Sequence, residues 1–201
     1  KMHKLIMSSA TYRQSSQTDQ ERLAKDPENQ WLWRRVPARL EAEPIRDSLL
    51  AVSGQLDLRE FGPGTMDQNM KRRSVYFFIK RSGLIPMMML FDWPEHLVSI
   101  GQRSNTTVAP QALAFLNGPQ VRSYALAFAD RLGPDAEWKV TIDKAFRVAL
   151  GRSPTREESQ LALEFLDRQL AEKGTAKDSR RLALADLCQT IFSMNEFVFV
   201  E

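Results

Sequence analysis

Glycine cuts the second half of this 201-residue chain into lengths that suit helices: stops fall at Asn117-Gly118-Pro119, Gly133-Pro134, Gly151 and Gly174. Glycine tolerates the left-handed conformation that ends a helix, and a following proline cannot continue one. Between the stops, apolar residues recur every three or four positions. Thr107 or Val108, followed by Pro110, predicts a helix start, with Leu113 and Leu116 on its inner face. Residues 119–132 place Val121, Ala125, Phe128 and Leu132 on one side, and residues 136–150 do the same with Trp138, Ile142, Ala145 or Phe146, and Ala149. Thr155 and Glu158 form a Thr-x-x-Glu capping box ahead of Leu163, Leu166 and Leu170. Asp178 is placed to cap a last helix carrying Leu184, Leu187, Cys188, Ile191 and Met194, which leads into an apolar tail at 197–200.

The first half is less regular. Lys1 opens onto MHKLIM, which reads as a helix already under way, as in a piece cut from a longer protein. Asp26-Pro27 reads as a cap plus first helical residue for a short turn bearing Trp31, Leu32 and Val36. A helix with Pro44 in its first turn would stripe Ile45, Leu49, Val52 and Leu56 along one face. The β-branched and aromatic run SVYFFIK, 74–80, predicts a strand, with 55–59 or 85–90 as its partner. The expected fold class is therefore mainly α: a single multi-helix globular domain over 1–201 with a small β-hairpin or short strand, mixed and basic over 1–104 and all-helical over 105–201.

Composition bounds function more by exclusion. Hydrophobic residues make up 43% of the chain, enough for a core, yet no apolar run approaches the roughly 20 residues of a membrane span. Net charge is +3, with opposite signs interleaved instead of gathered into a basic stripe, so a nucleic-acid partner is not expected. One cysteine on an apolar helical face and two distant histidines, His3 and His96, leave no zinc or haem attachment pattern. No nucleotide-binding glycine loop, nucleophile elbow or HExxH occurs.

Charge and aromatic surface concentrate instead in WLWRRVPARLEAEPIRD, 31–47. Three readings of this stretch stay open. It is a solvated face of weak ion pairs, a buried electrostatic lock, or a site where arginines and a tryptophan platform hold an anionic or sugar ligand. The candidate residues are Trp31, Trp33, Arg34, Arg35, Arg39, Glu41, Glu43, Arg46 and Asp47, joined from farther along by Arg72, Arg73 and Arg103. No catalytic residue is assigned. Glu41 with Asp47, or Asp92 with His96, are the pairs that an acid-base enzyme acting on polysaccharide would have to use.

Six blocks carry a family resemblance: HKLIMSSATYRQSS (3–16), NQWLWRRVPARLEAEPIRDSLLAVSGQLD (29–57), RRSVYFFIKR (72–81), TTVAPQALAFLN (106–117), ALGRSPTREE (149–158) and LADLCQTIFSMNEFVFVE (184–201). In order and over essentially the whole chain, they resemble the C-terminal domain of large planctomycete-type cytochrome c-associated proteins. The resemblance implies an exported protein, periplasmic or at the cell surface, with a secretion signal, a haem-binding segment and a second domain upstream. It implies no cofactor in this chain itself and supplies no catalytic residue. The expected role is a non-catalytic interaction or ligand-binding module that docks onto its own upstream domains or binds an anionic or neutral extracellular glycan, with the polysaccharide-active enzyme as the alternative.

Overall fold

The computed structural model describes residues 1–80, 82–94, 99–134, 136–174 and 178–200. They fall into two compact units, Lys1–Arg39 with Phe199 and Val200, and Leu40–Val198. Among them are ten α-helices and one two-stranded antiparallel sheet, the mainly α fold with a small β element that the sequence predicts.

The first unit holds helix α1 (Met2–Met7), helix α2 (Gln20–Lys25), and the pairing of β1 (Ala38–Arg39) with β2 (Phe199–Val200) in the register Ala38 to Val200 and Arg39 to Phe199. Asp19 caps α2 by accepting from the N–H groups of Glu21 and Arg22. Asp26 does not start a helix, as expected from Asp26-Pro27, but ends this one. Its buried carboxylate then accepts the N–H groups of Gln30 and Trp31, at 2.9 and 2.8 Å, which bends 27–36 into a loop. A side-chain acceptor aimed at the following backbone favours a turn over a helix.

The second unit contains α3 (Ala42–Ser53), α4 (Pro86–Leu90), α5 (Ala109–Asn117), α6 (Pro119–Leu132), α7 (Trp138–Leu150), α8 (Arg156–Lys173), α9 (Ser179–Phe192) and α10 (Asn195–Val198). α6 and α9 pack along most of their lengths, and each buries small residues, Ala125 and Ala129 on one and Ala183 and Ala185 on the other. Phe128 and Phe192 stack with ring centroids 5.7 Å apart. α3 lies against α6, burying Ile45, Leu49 and Leu50. Its last turn is closed by Arg131 of α6, which donates to the carbonyls of Ala51 and Val52 at 2.9 and 2.7 Å. Gly54 follows at φ +76°, a left-handed position where any other residue would be strained.

Two expectations fail here. Ser74–Tyr76 is a 3₁₀ turn, and the rest of the 74–80 run forms only isolated bridges, Phe77 to Thr65 and Lys80 to Gly83, while 85–90 supplies α4 instead of a partner strand. Val75, Phe78 and Ile79 consequently point outward. On α5, Leu113 and Leu116 are exposed, and the inward residues are Phe115 and Gln111, whose side chain accepts from Val108 N–H and donates to the Leu90 carbonyl.

The capping box forms as predicted: Glu158 N–H donates to Thr155 Oγ1 at 3.1 Å, and Thr155 N–H to Glu158 Oε2 at 2.7 Å. Arg152 extends it, bidentate to Glu158 and bidentate again to Glu196 of α10, with all four contacts at 2.7 or 2.8 Å. The Arg152 guanidinium holds the Glu158 carboxyl down at about 2. A depressed carboxylate stabilises above its unfolded pKa and loses that contribution as pH falls toward its folded value, so the window is about pH 5 to 2. Glu158→Gln should therefore cost about 1 to 2 kcal/mol at pH 7, discounted for partial exposure, and less than about half of that at pH 3, inside the window. Urea midpoints at the two pH values check this, and an equal loss at both would rule the ion pair out as the cause.

Candidate functional site

Helix α3 organises the polar network because its first turns put Glu43, Arg46 and Asp47 on successive faces, just after the extended residue Glu41. Arg46 is 2% exposed, the largest side chain buried so deeply. Its guanidinium donates to the Arg72 carbonyl at 3.1 Å, to Ser74 Oγ at 3.2 Å and to the Met70 carbonyl, and it lies over the Phe77 ring at 4.6 Å. Burial lowers its pKa, but an arginine stays charged in proteins. Asp47 accepts both the N–H and the hydroxyl of Ser74 at 2.7 Å, with Arg46 and the exposed Arg73 each 3.7 Å away. The 70–77 segment is thereby fixed to α3 through side chains.

Arg103 closes the other side. It donates to both oxygens of Glu43, at 2.8 and 3.0 Å, and to Glu41 at 2.9 Å, while the Trp93 indole N–H donates to Glu43 at 2.9 Å. Burial pushes the Glu43 carboxyl up, but Arg103, its own backbone N–H and Trp93 outweigh this and leave it below the ordinary range. The Glu43 carboxylate correspondingly raises Arg103. Glu41, Glu43, Asp47, Arg73 and Arg103 line one open cleft of about 630 Å³.

Arg72 serves a separate loop. It donates to the carbonyls of Arg59, Phe61 and Pro63 and stacks on Tyr76 at 3.4 Å, while Tyr76 Oη accepts the Phe61 N–H at 2.7 Å. These contacts hold Phe61 at φ +62°, a left-handed conformation unusual for an aromatic residue.

The remaining predicted residues belong to the first unit. Trp31 is 76% exposed, and Trp33 donates its indole N–H to the Asp26 carbonyl at 3.0 Å. Arg34 lies over Trp33 at 5.3 Å, with its backbone held by Asn29. Arg35 N–H donates to the Ser15 carbonyl, and Arg39 is buried. Asp92, at φ +62°, accepts the N–H and hydroxyl of Thr106; His96, its expected partner, lies outside the described residues.

Sequence reasoning passed over a second cleft in the same unit, of about 800 Å³, between α3, α4, α5 and α6. Leu50, Met87, Leu90, Phe115, Val121 and Tyr124 wall it, Gln55, Asn69, Lys71 and Gln120 stand at its rim, and no carboxylate lines it. Of its wall residues the sequence patterning places only Val121 on an inward helix face, and it reads 85–90 as a possible strand. Among the described residues no three His, Cys, Asp or Glu side chains converge on a possible metal position, and no helix is long and apolar enough to cross a membrane. Cys188 is buried, and burial raises its thiol pKa, which leaves it protonated and unreactive.

Removing a buried charged partner strands the groups around it. Arg46→Leu leaves two backbone carbonyls and Ser74 Oγ short of a donor and Asp47 short of a countercharge, and should cost about 3 to 5 kcal/mol. Arg103→Ala, on a partly exposed pair, should cost about 1 kcal/mol or less. Chemical denaturation of both variants checks the order, which reverses if Arg103 and not Arg46 secures the network.

No curated protein and no solved structure shows significant similarity to the chain. A family model, however, matches residues 1–166, which takes in both clefts and all of the predicted network. The chain thus belongs to the PSD1 family of proteins of unknown function (DUF1553).

Proposed function

We propose that the chain is a non-catalytic binding module of a larger exported, planctomycete-type, cytochrome-associated protein, with any haem held in an upstream segment and with this module docking an upstream domain or an extracellular ligand. One observation carries the reading: the carboxylates suited to acid-base work are engaged by arginines and backbone donors, whereas the larger cleft is apolar and free of carboxylates. A glycosidase needs one carboxyl with a raised pKa to protonate the leaving group. Glu43 is shifted the opposite way. Of the arginines in the lock reading, the buried Arg46, with its donors taken up by the Met70 and Arg72 carbonyls and Ser74, supports a structural role over a ligand site.

The test pairs turnover with binding. The chain is incubated with neutral and sulfated polysaccharides and assayed for new reducing ends, and its melting temperature is followed with the matching oligosaccharides at low salt and at about 150 mM salt. The expected result is no turnover, and any oligosaccharide shift should be unchanged in Arg103→Ala. Turnover that disappears in Glu43→Gln or Asp47→Asn would replace this reading with the enzyme.

A further inference from the structure

We propose that the apolar cleft between α3, α4, α5 and α6 binds an amphipathic monocarboxylate: an acyl chain in the apolar part, its carboxylate between Tyr124 and Lys71. This rests on the binding-module reading and gives its ligand a chemical class.

The cleft, at about 800 Å³, is within the range of small-molecule sites, and its walls are mainly aliphatic, thioether and aromatic carbon. Met87 can adapt its unbranched side chain to a flexible chain. Two polar groups mark where a headgroup belongs. Tyr124 lines the cleft at 5% exposure, and among the described residues its hydroxyl makes no hydrogen bond, although it is not one of the fully enclosed polar atoms. A tyrosine hydroxyl that no protein group engages can donate to an acceptor bound in the cleft. Lys71 stands at the exposed rim with no ion pair among the described residues. It carries the cleft's one formal charge, whereas Glu41, Glu43 and Asp47 all line the other cleft.

Charge complementarity selects the headgroup. One ammonium and one neutral donor balance a single negative charge; a second charge, as on a phosphate monoester, would enter a largely apolar site without a counterion. The buried Arg46 cation adds a favourable field at the Tyr124 hydroxyl, although its own donors are occupied by Met70, Arg72 and Ser74. A cationic amphiphile meets the opposite situation at every polar point. An uncharged alcohol gains the walls but leaves Lys71 unanswered.

Calorimetric titration of the chain with decanoate, decan-1-ol and decyltrimethylammonium tests this. Decanoate should bind one to one, at least about tenfold more tightly than the other two, a difference of about 1.4 kcal/mol. Lys71→Met and Tyr124→Phe should each weaken decanoate by about five- to twentyfold, and Ser123→Trp, at an exposed rim position, should block it. Should Tyr124→Phe fail to fold, Lys71→Met and Ser123→Trp, both on exposed residues, decide the matter. No decanoate binding, equal affinity for the three probes, or binding indifferent to Ser123→Trp overturns the assignment. A chain that binds no decanoate and still shows no polysaccharide turnover loses only the ligand class, whereas turnover removes the module reading itself.

Discussion

A single buried cation organises the less regular part of this molecule. The 70–77 segment has neither a helix nor a continuous ladder to satisfy its backbone, and Arg46 supplies in one side chain the donors that a neighbouring strand would otherwise provide. Its planar fork reaches two carbonyls and a hydroxyl at once, which an ammonium could not do with the same geometry. The Phe77 ring covers one face of the guanidinium, and Asp47 both balances its charge and pins Ser74. Desolvating the arginine is costly, and such a group contributes more to uniqueness than to net stability. With it in place, the segment has one position on α3, and the loop that Arg72 fastens is anchored in turn.

How far the fold is legible in the sequence follows from the range of the forces. The helices after residue 118 are written locally: glycine stops, proline starts, a capping box and a three-four apolar spacing all act within one or two turns, and α6, α7, α8 and α9 lie close to where these signals put them. The 74–80 run misleads because its aromatic and β-branched composition describes a strand, while contacts 24 to 28 residues away decide its shape. Asp26 misleads because a carboxylate beside a proline suits either end of a helix, and only the N–H groups it meets distinguish them. Leu113 and Leu116 show a different failure, since a short helix on the edge of a cleft turns its aromatic and its amide inward.

The candidate site was legible in its ingredients and not in its assembly. Glu41, Glu43, Arg46 and Asp47 are close in sequence and close in space, but the groups that complete them, Trp93 and Arg103, arrive across 50 to 62 residues. Two clefts in one unit then divide the chemistry between them. One is filled by opposite charges that satisfy one another, and the other holds a hydroxyl and an amine that meet no partner among the described residues. Internal neutralisation suits the first to a structural role, and on the proposed assignment the second is the receptive one.

The antiparallel pairing of β1 with β2 has a mechanical consequence. Ala38 is reached first from the N-terminal side and Val200 first from the C-terminal side, and these two residues are partners in the register. Tension applied along the chain from both directions therefore arrives at the same end of the ribbon and loads its hydrogen bonds one after another, as in opening a zipper, instead of shearing them together. The Leu40 N–H, which donates to the Val198 carbonyl at 2.8 Å, is next in line. A pull on the two strands would thus open this short clasp one hydrogen bond at a time.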